Sequence, residues 1–88
     1  MFENICVIGC GLIGSSILRA IKDKKLSKNV SACDKSKDVI AFIKKENLSQ
    51  NPTSDIRLAV KDSDLIIIAA PLSAYKEILL SVKKNLKK

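Results

Sequence analysis

Residues 7–14 read VIGCGLIG. The chain has three glycines in 88 residues, and all of them, Gly9, Gly11 and Gly14, fall within these six positions. The stretch before them, Asn4–Ile8, is short, apolar and rich in β-branched residues, so it reads as a buried strand. After them Leu12, Ile13, Ile17, Leu18, Ala20 and Ile21 recur at three- and four-residue spacing, which predicts a helix with one apolar stripe. The glycines therefore occupy a strand-to-helix turn with the spacing G-x-G-x-x-G.

That spacing has a physical use. A glycine at position 9 permits the sharp turn out of the strand. One at position 11 lets a pyrophosphate approach the backbone, and one at position 14 lets the helix pack close to the sheet. The free N–H groups near Leu12 and Ile13, with the helix dipole behind them, attract phosphate. Asp34 ends a second predicted strand, Val30–Cys33, about twenty positions beyond Gly14, where a carboxylate can accept the hydroxyls of an adenosine ribose and repel a 2′-phosphate. NAD is thus favoured over NADP, with Lys35 and Lys37 as two cations that could reach a 2′-phosphate.

Further along, Ser36 is a candidate N-cap for a helix from Lys37 to Glu46 that buries Val39, Ile40 and Ile43. Residues 47–55 read as an irregular connection with room for a very short strand. Asp55–Lys61 predicts a short helix capped by Ser54 or Asp55. Asp64–Ala70 contains LIIIAA, apolar on both faces as a strand of a parallel sheet is. Pro71 ends it, and Ser73 is expected to cap a last helix that runs to about Lys84 with Ile78, Leu79 and Val82 inward. Strands alternating with helices define an α/β fold, a Rossmann-type parallel sheet with right-handed crossovers and expected strand order 3-2-1-4. It is incomplete, holding the first half of such a fold plus its fourth strand. The loop after the fourth strand, with Ala70 and Pro71, would lie at the nicotinamide end of a dinucleotide.

Composition narrows the function classes. Hydrophobic residues make up 47% of the chain and aromatics 3%, so the core is aliphatic and the chain is a single small folded unit over residues 1–88. The net charge of +7 comes from scattered lysines with no aromatic residues between them to stack bases. A solvated lysine-rich surface is favoured over a nucleic-acid or membrane partner. Three cysteines without a C-x-x-C pair, and no histidine, argue against a metal site and for free thiols in a reducing cytoplasm. Cys6 and Cys33 read as small core residues, and Cys10 lacks a neighbouring base or partner thiol for redox work.

Three segments, VIGCGLIGSSILRAIKDK, VSACDKS and SDLIIIAAPLSAYKEIL, resemble in order and spacing the N-terminal part of prephenate and arogenate dehydrogenases. The resemblance covers essentially the whole chain. It implies a cytoplasmic NAD(P)-dependent enzyme of tyrosine biosynthesis, a homodimer at full length. Such an enzyme converts prephenate to 4-hydroxyphenylpyruvate, or arogenate to tyrosine, by oxidative decarboxylation. It implies Gly9, Gly11 and Gly14 as the phosphate loop, Asp34 as the ribose acid, and Ala70–Pro71 as the nicotinamide-side loop. The family's catalytic histidine and substrate-binding arginines come later in its chains, so these 88 residues are expected to be a truncated, inactive cofactor-binding portion. Two other readings remain: the cofactor domain of another dehydrogenase, such as a hydroxyacid or pyrroline-carboxylate reductase, and a stand-alone nucleotide-binding module. Net charge alone motivates a nucleic-acid binder.

Overall fold

A strand buried on both faces must carry apolar side chains on successive residues, and the first strand does. The computed structural model describes residues 2–70 and 72–84. It runs β1 (Phe2–Ile8), α1 (Leu12–Lys24), β2 (Ser27–Cys33), α2 (Lys37–Lys45), β3 (Asn51–Thr53), α3 (Ile56–Val60), β4 (Leu65–Ile68) and α4 (Leu72–Lys84). The strands form one parallel sheet in the order β3-β2-β1-β4, as the sequence predicts. In register, Ile5 lies opposite Val30 and Leu65, and Ile8 lies opposite Cys33 and Ile68.

Alternation along β1 divides the core. Ile5 and Val7 join Leu18 and Ile21 of α1, Val30 and Ala32 of β2, and Ile43 of α2. Cys6 and Ile8 face the other way, onto Ala59 and Val60 of α3 and Ile78 and Val82 of α4. Fully burying a side chain such as Leu18 or Ile43 contributes about 1.5–3 kcal/mol.

Several boundaries differ from the sequence reading, each for a local reason. The strands β1 and β2 start earlier than Asn4 and Val30. Of the polar residues here Ser27 is half-buried and Lys28 and Asn29 are exposed, yet Phe2 and Asn4 pair with Ser27 and Asn29 through the backbone. Backbone pairing is indifferent to side-chain polarity, so hydropathy alone stops short of the strand end. The short strand allowed for in residues 47–55 is β3, whose Pro52 is tolerated because this strand is the sheet's edge. Ser49 and Gln50 lead into it. The Ser49 hydroxyl donates to the Val30 carbonyl (2.5 Å), and the Gln50 side-chain oxygen accepts the Val30 N–H (3.0 Å).

Ser36 caps α2 as expected, its hydroxyl oxygen accepting the Val39 N–H (3.3 Å). The cap of α3 is Asp55, which accepts the Arg57 N–H (2.9 Å). The Arg57 guanidinium, by hydrogen bond and by charge, holds the Asp55 carboxyl below its ordinary range. The helix α4 already includes Leu72, so Ser73 lies inside its first turn rather than at its cap. Pro71 lies outside the described residues. Ile78 and Val82 are buried as expected, but Leu79 is 44% exposed.

Every helix runs against the strands, so the helix C-termini gather at the pole where the strands begin. Lys22, Lys24, Lys44, Lys45, Lys83 and Lys84 occupy the last turns of α1, α2 and α4, where cations complement the dipole. The glycine turn lies at the opposite pole. Among the described residues no helix is long and apolar enough to cross a membrane.

Candidate functional site

The turn after β1 is built by its glycines in three different ways. Gly9 has φ +86°, a conformation L side chains rarely adopt, and a Cβ there would stand 2.7 Å from the Ala70 nitrogen. A Cβ on Gly14 would run into the Gly9 carbonyl oxygen, so the first turn of α1 lies directly on the turn that precedes it. A Cβ on Gly11 would meet nothing within 4 Å. No contact within the protein requires that glycine, and the space in front of it is open.

Gly11 is also the N-cap of α1, and no side chain caps the helix. The Ser15 N–H closes the first helical bond onto the Gly11 carbonyl (2.8 Å), which leaves the N–H groups of residues 12–14 ahead of the ladder. There is no acidic residue in this first turn to complement its positive end. The Leu12 and Ile13 side chains, expected in the apolar stripe, are 90% and 67% exposed, and Ala20 is exposed as well. The buried stripe is Gly14, Leu18 and Ile21. Any contribution from Leu12 and Ile13 at the turn comes through their backbone.

Asp34 closes the other side. Its carboxylate accepts the Cys10 N–H, from within the glycine turn, at 2.8 Å, and the Ser36 N–H at 2.9 Å. The end of β2 and the glycine turn are thereby one hydrogen-bonded unit. Two more backbone bonds reinforce it: the Gly9 N–H donates to the Cys33 carbonyl (2.8 Å), and the Asp34 N–H donates to the Thr53 carbonyl (3.2 Å). Each carboxylate oxygen has a second lone pair, so Asp34 retains acceptor capacity.

A cleft of about 300 Å³ opens at these strand ends, lined by Gly9, Asp34, Lys35, Ser54, Ile56 and Ala70, with Ala74 and Ile78 of α4 behind. Of the predicted residues, Gly9, Asp34, Lys35 and Ala70 line one hollow, with Gly11, Leu12, Ile13 and Gly14 in the adjoining turn. Pro71 lies outside the described residues. Lys37 starts α2 and does not line the cleft. Ser54 and Ile56 are additions. They reach the cleft because β3 ends at Thr53, a strand too short to leave a hydropathy signal.

The three cysteines are free and buried around this unit. Burial pushes the Cys6 and Cys10 thiols up to about 12 and the Cys33 thiol to about 11, with the Asp34 charge adding to the rise at Cys10 and Cys33. The Cys10 sulfur lies 3.4 Å from the Val7 carbonyl and 3.6 Å from that of Cys33. They are protonated packing residues at neutral pH. Among the described residues no cluster of acids and cysteines could hold a metal ion.

A parallel α/β sheet with a glycine turn after its first strand, an uncapped helix start and an acid at the end of the second strand is the Rossmann type of nucleotide-binding fold, of which this chain holds part. The sequence profile of the family described as NADP oxidoreductase, coenzyme F420-dependent, matches residues 4–88. The chain belongs to that family of oxidoreductases. It is 39% identical over 88 residues to a cyclohexadienyl dehydrogenase of Zymomonas mobilis subsp. mobilis, a match that covers 100% of this chain and 30% of that protein. Its fold superposes with a TM-score of 0.88, at 16% identity, on prephenate dehydrogenase from A. aeolicus in complex with hydroxyphenyl propionate and NAD+, covering 99% of this chain and 31% of that one. The chain thus spans about a third of the length of these relatives. The first agrees with the resemblance read from the three sequence segments, and the second with the fold that it implies.

Proposed function

We propose that this chain is the NAD-binding portion of a prephenate or arogenate dehydrogenase. The observation that carries the reading is the hydrogen-bonded pairing of Asp34 with the glycine turn beside an open space at Gly11. The relative named cyclohexadienyl dehydrogenase supports the substrate class. The open space at Gly11 and the uncapped start of α1 fit a pyrophosphate, and the acceptor capacity of Asp34 fits ribose hydroxyls.

When bound, the nicotinamide accepts the hydride that the substrate's oxidation releases. The residues of this chain do the holding. The N–H groups of Leu12 and Ile13 would bind the diphosphate, and the positive end of α1 would stabilise its charge. Asp34 would accept the adenosine ribose hydroxyls, held in place by the Cys10 and Ser36 N–H groups. Ala70 would line the nicotinamide side through backbone and apolar contact.

NADP is the second reading. It is favoured by the family's description and by Lys35, which lines the cleft next to Asp34. Calorimetric titration with NAD+ and NADP+, of the wild-type chain and of Asp34→Ala, tests both. Tighter NAD+ binding that weakens in the variant supports the proposal. A folded chain that binds neither nucleotide contradicts it.

A further inference from the structure

Two neighbouring serines lie near the start of α1, and their hydroxyls bond differently. Ser16 donates to the Leu12 carbonyl (3.0 Å), four residues back and inside the helix. Such a bond is an ordinary addition to a carbonyl of the first turn. Ser15 reaches further, past the helix start, and its hydroxyl donates to the Cys10 carbonyl (2.7 Å). The Ser15 N–H also donates to the Gly11 carbonyl (2.8 Å). One residue thus holds two successive carbonyls of the glycine turn.

We propose that Ser15 is a positioning residue for the diphosphate: by holding the Cys10 carbonyl, its hydroxyl aims the Gly11 N–H at the phosphate oxygens. The inference rests on the dinucleotide reading above and adds a donor to it. A peptide unit is planar and trans, so each N–H points opposite to the carbonyl of the residue before it. The Cys10 carbonyl points at Ser15, one turn into the helix. The Gly11 N–H therefore points the other way, out past the start of α1. Among the described residues no group accepts it. The bond from the Ser15 N–H to the Gly11 carbonyl sets the Leu12 N–H in the same manner.

Little else fixes this peptide. Gly11, at φ −69° and ψ −146°, has no side chain to resist a turn. The bond from the Cys10 N–H to Asp34 (2.8 Å) holds the preceding peptide, and the Cys10 backbone dihedrals separate the two. Cys10 is 1% exposed, so its carbonyl has little access to water where it stands. Among the described residues the Ser15 hydroxyl is the one group that donates to it. Without that hydroxyl the carbonyl is left unpaired, which costs free energy, and a turn towards water relieves it. The same turn carries the Gly11 N–H off the phosphate. Sealing a buried carbonyl and nothing more predicts a different outcome: a less stable chain that binds as before.

Calorimetric titration of the 88-residue chain with NAD+, beside Ser15→Ala and Ser15→Thr, tests the proposal, with the Gly11 amide proton followed by NMR at saturation. Alanine favours a helix more than serine does, and circular dichroism shows that each variant is folded. The expected result is that Ser15→Ala binds NAD+ about three- to tenfold more weakly, as the loss of one neutral hydrogen bond does. Ser15→Thr, which keeps the hydroxyl, restores the affinity. In the wild type NAD+ moves the Gly11 amide proton downfield, as a charge-assisted bond does, and in Ser15→Ala that shift shrinks. A Ser15→Ala chain with wild-type affinity overturns the inference. So does a weakened one whose Gly11 shift is undiminished, or a folded threonine variant as weak as the alanine. A wild-type chain that binds NAD+ without moving the Gly11 proton overturns the inference and leaves the dinucleotide reading standing. A folded wild-type chain that does not bind NAD+ overturns both.

Discussion

Gly11→Ala and Gly14→Ala add the same methyl group three residues apart, and the geometry gives them opposite outcomes. At Gly14 the new Cβ collides with the Gly9 carbonyl oxygen, and the helix must lift from the turn. Overpacking of this kind costs about 1–3 kcal/mol, and a backbone oxygen has little freedom to yield. A loss of about 2 kcal/mol in a domain of this size lowers Tm by roughly 8–16 °C. At Gly11 the new Cβ meets no atom within 4 Å, so stability should change by at most about 1 kcal/mol. The methyl group does enter the space assigned to the pyrophosphate, so NAD+ affinity should fall by about a hundredfold, the equivalent of about 2.7 kcal/mol. Thermal melts followed by circular dichroism, paired with calorimetric titration, separate the two effects. A Gly11→Ala chain that binds NAD+ as the wild type does would refute the placement of the phosphates. A Gly14→Ala chain with unchanged Tm would refute the packing.

Other expectations follow from the same geometry. Asp34→Ala should weaken NAD+ binding about 10- to 100-fold while affecting NADP+ less, measured by titration, since charge-assisted hydrogen bonds contribute about 1.5–3 kcal/mol. Leu18→Ala empties a fully buried position in the layer under α1 and should cost about 2–5 kcal/mol in urea unfolding. The three thiols should resist a disulfide reagent at pH 8 in the folded chain and react on denaturation. Their pKa values rise from 9.0 to about 12, 12 and 11 in the fold. The folded state therefore holds these protons longer than the unfolded state does. Their stabilisation is complete below pH 9 and falls as pH rises from there towards 11–12. Cys10→Ala should flatten that alkaline slope, read from unfolding at a series of pH values.

What the sequence revealed is uneven, and the reasons are physical. The glycine turn was legible because its requirements are backbone requirements, and glycine is the only residue that meets them at position 9. Within LIIIAA, Leu65–Ile68 was legible as a strand because its side chains pack alternately onto the two halves of the core, which leaves no polar residue in it. Leu12 and Ile13 misled, because periodicity reports which residues can share a face and not whether anything covers it. Leu79 misled for the same reason. The Asp34 bonds to Cys10 and Ser36 could not be read from spacing. They depend on the end of β2 meeting the glycine turn, which only the β1–β2 register brings about. Ser54 and Ile56 entered the cleft unannounced because the strand that delivers them is only three residues long.

The lysines at the helix C-termini bear on how an anionic ligand finds the cleft. Their charge lies at the far pole of a molecule whose extents are 30 × 29 × 19 Å, while the glycine turn lies at the near one. At about 0.1 M salt a charge is screened over ~10 Å, so the cleft hardly feels these six lysines. A dinucleotide approaching in dilute buffer is drawn first to the wrong end. The encounter rate at the cleft should then gain little from the protein's charge, and neutralising those lysines should leave it almost unchanged. Capture rests on the short-range field of one helix end, and the surplus charge serves the helices that carry it.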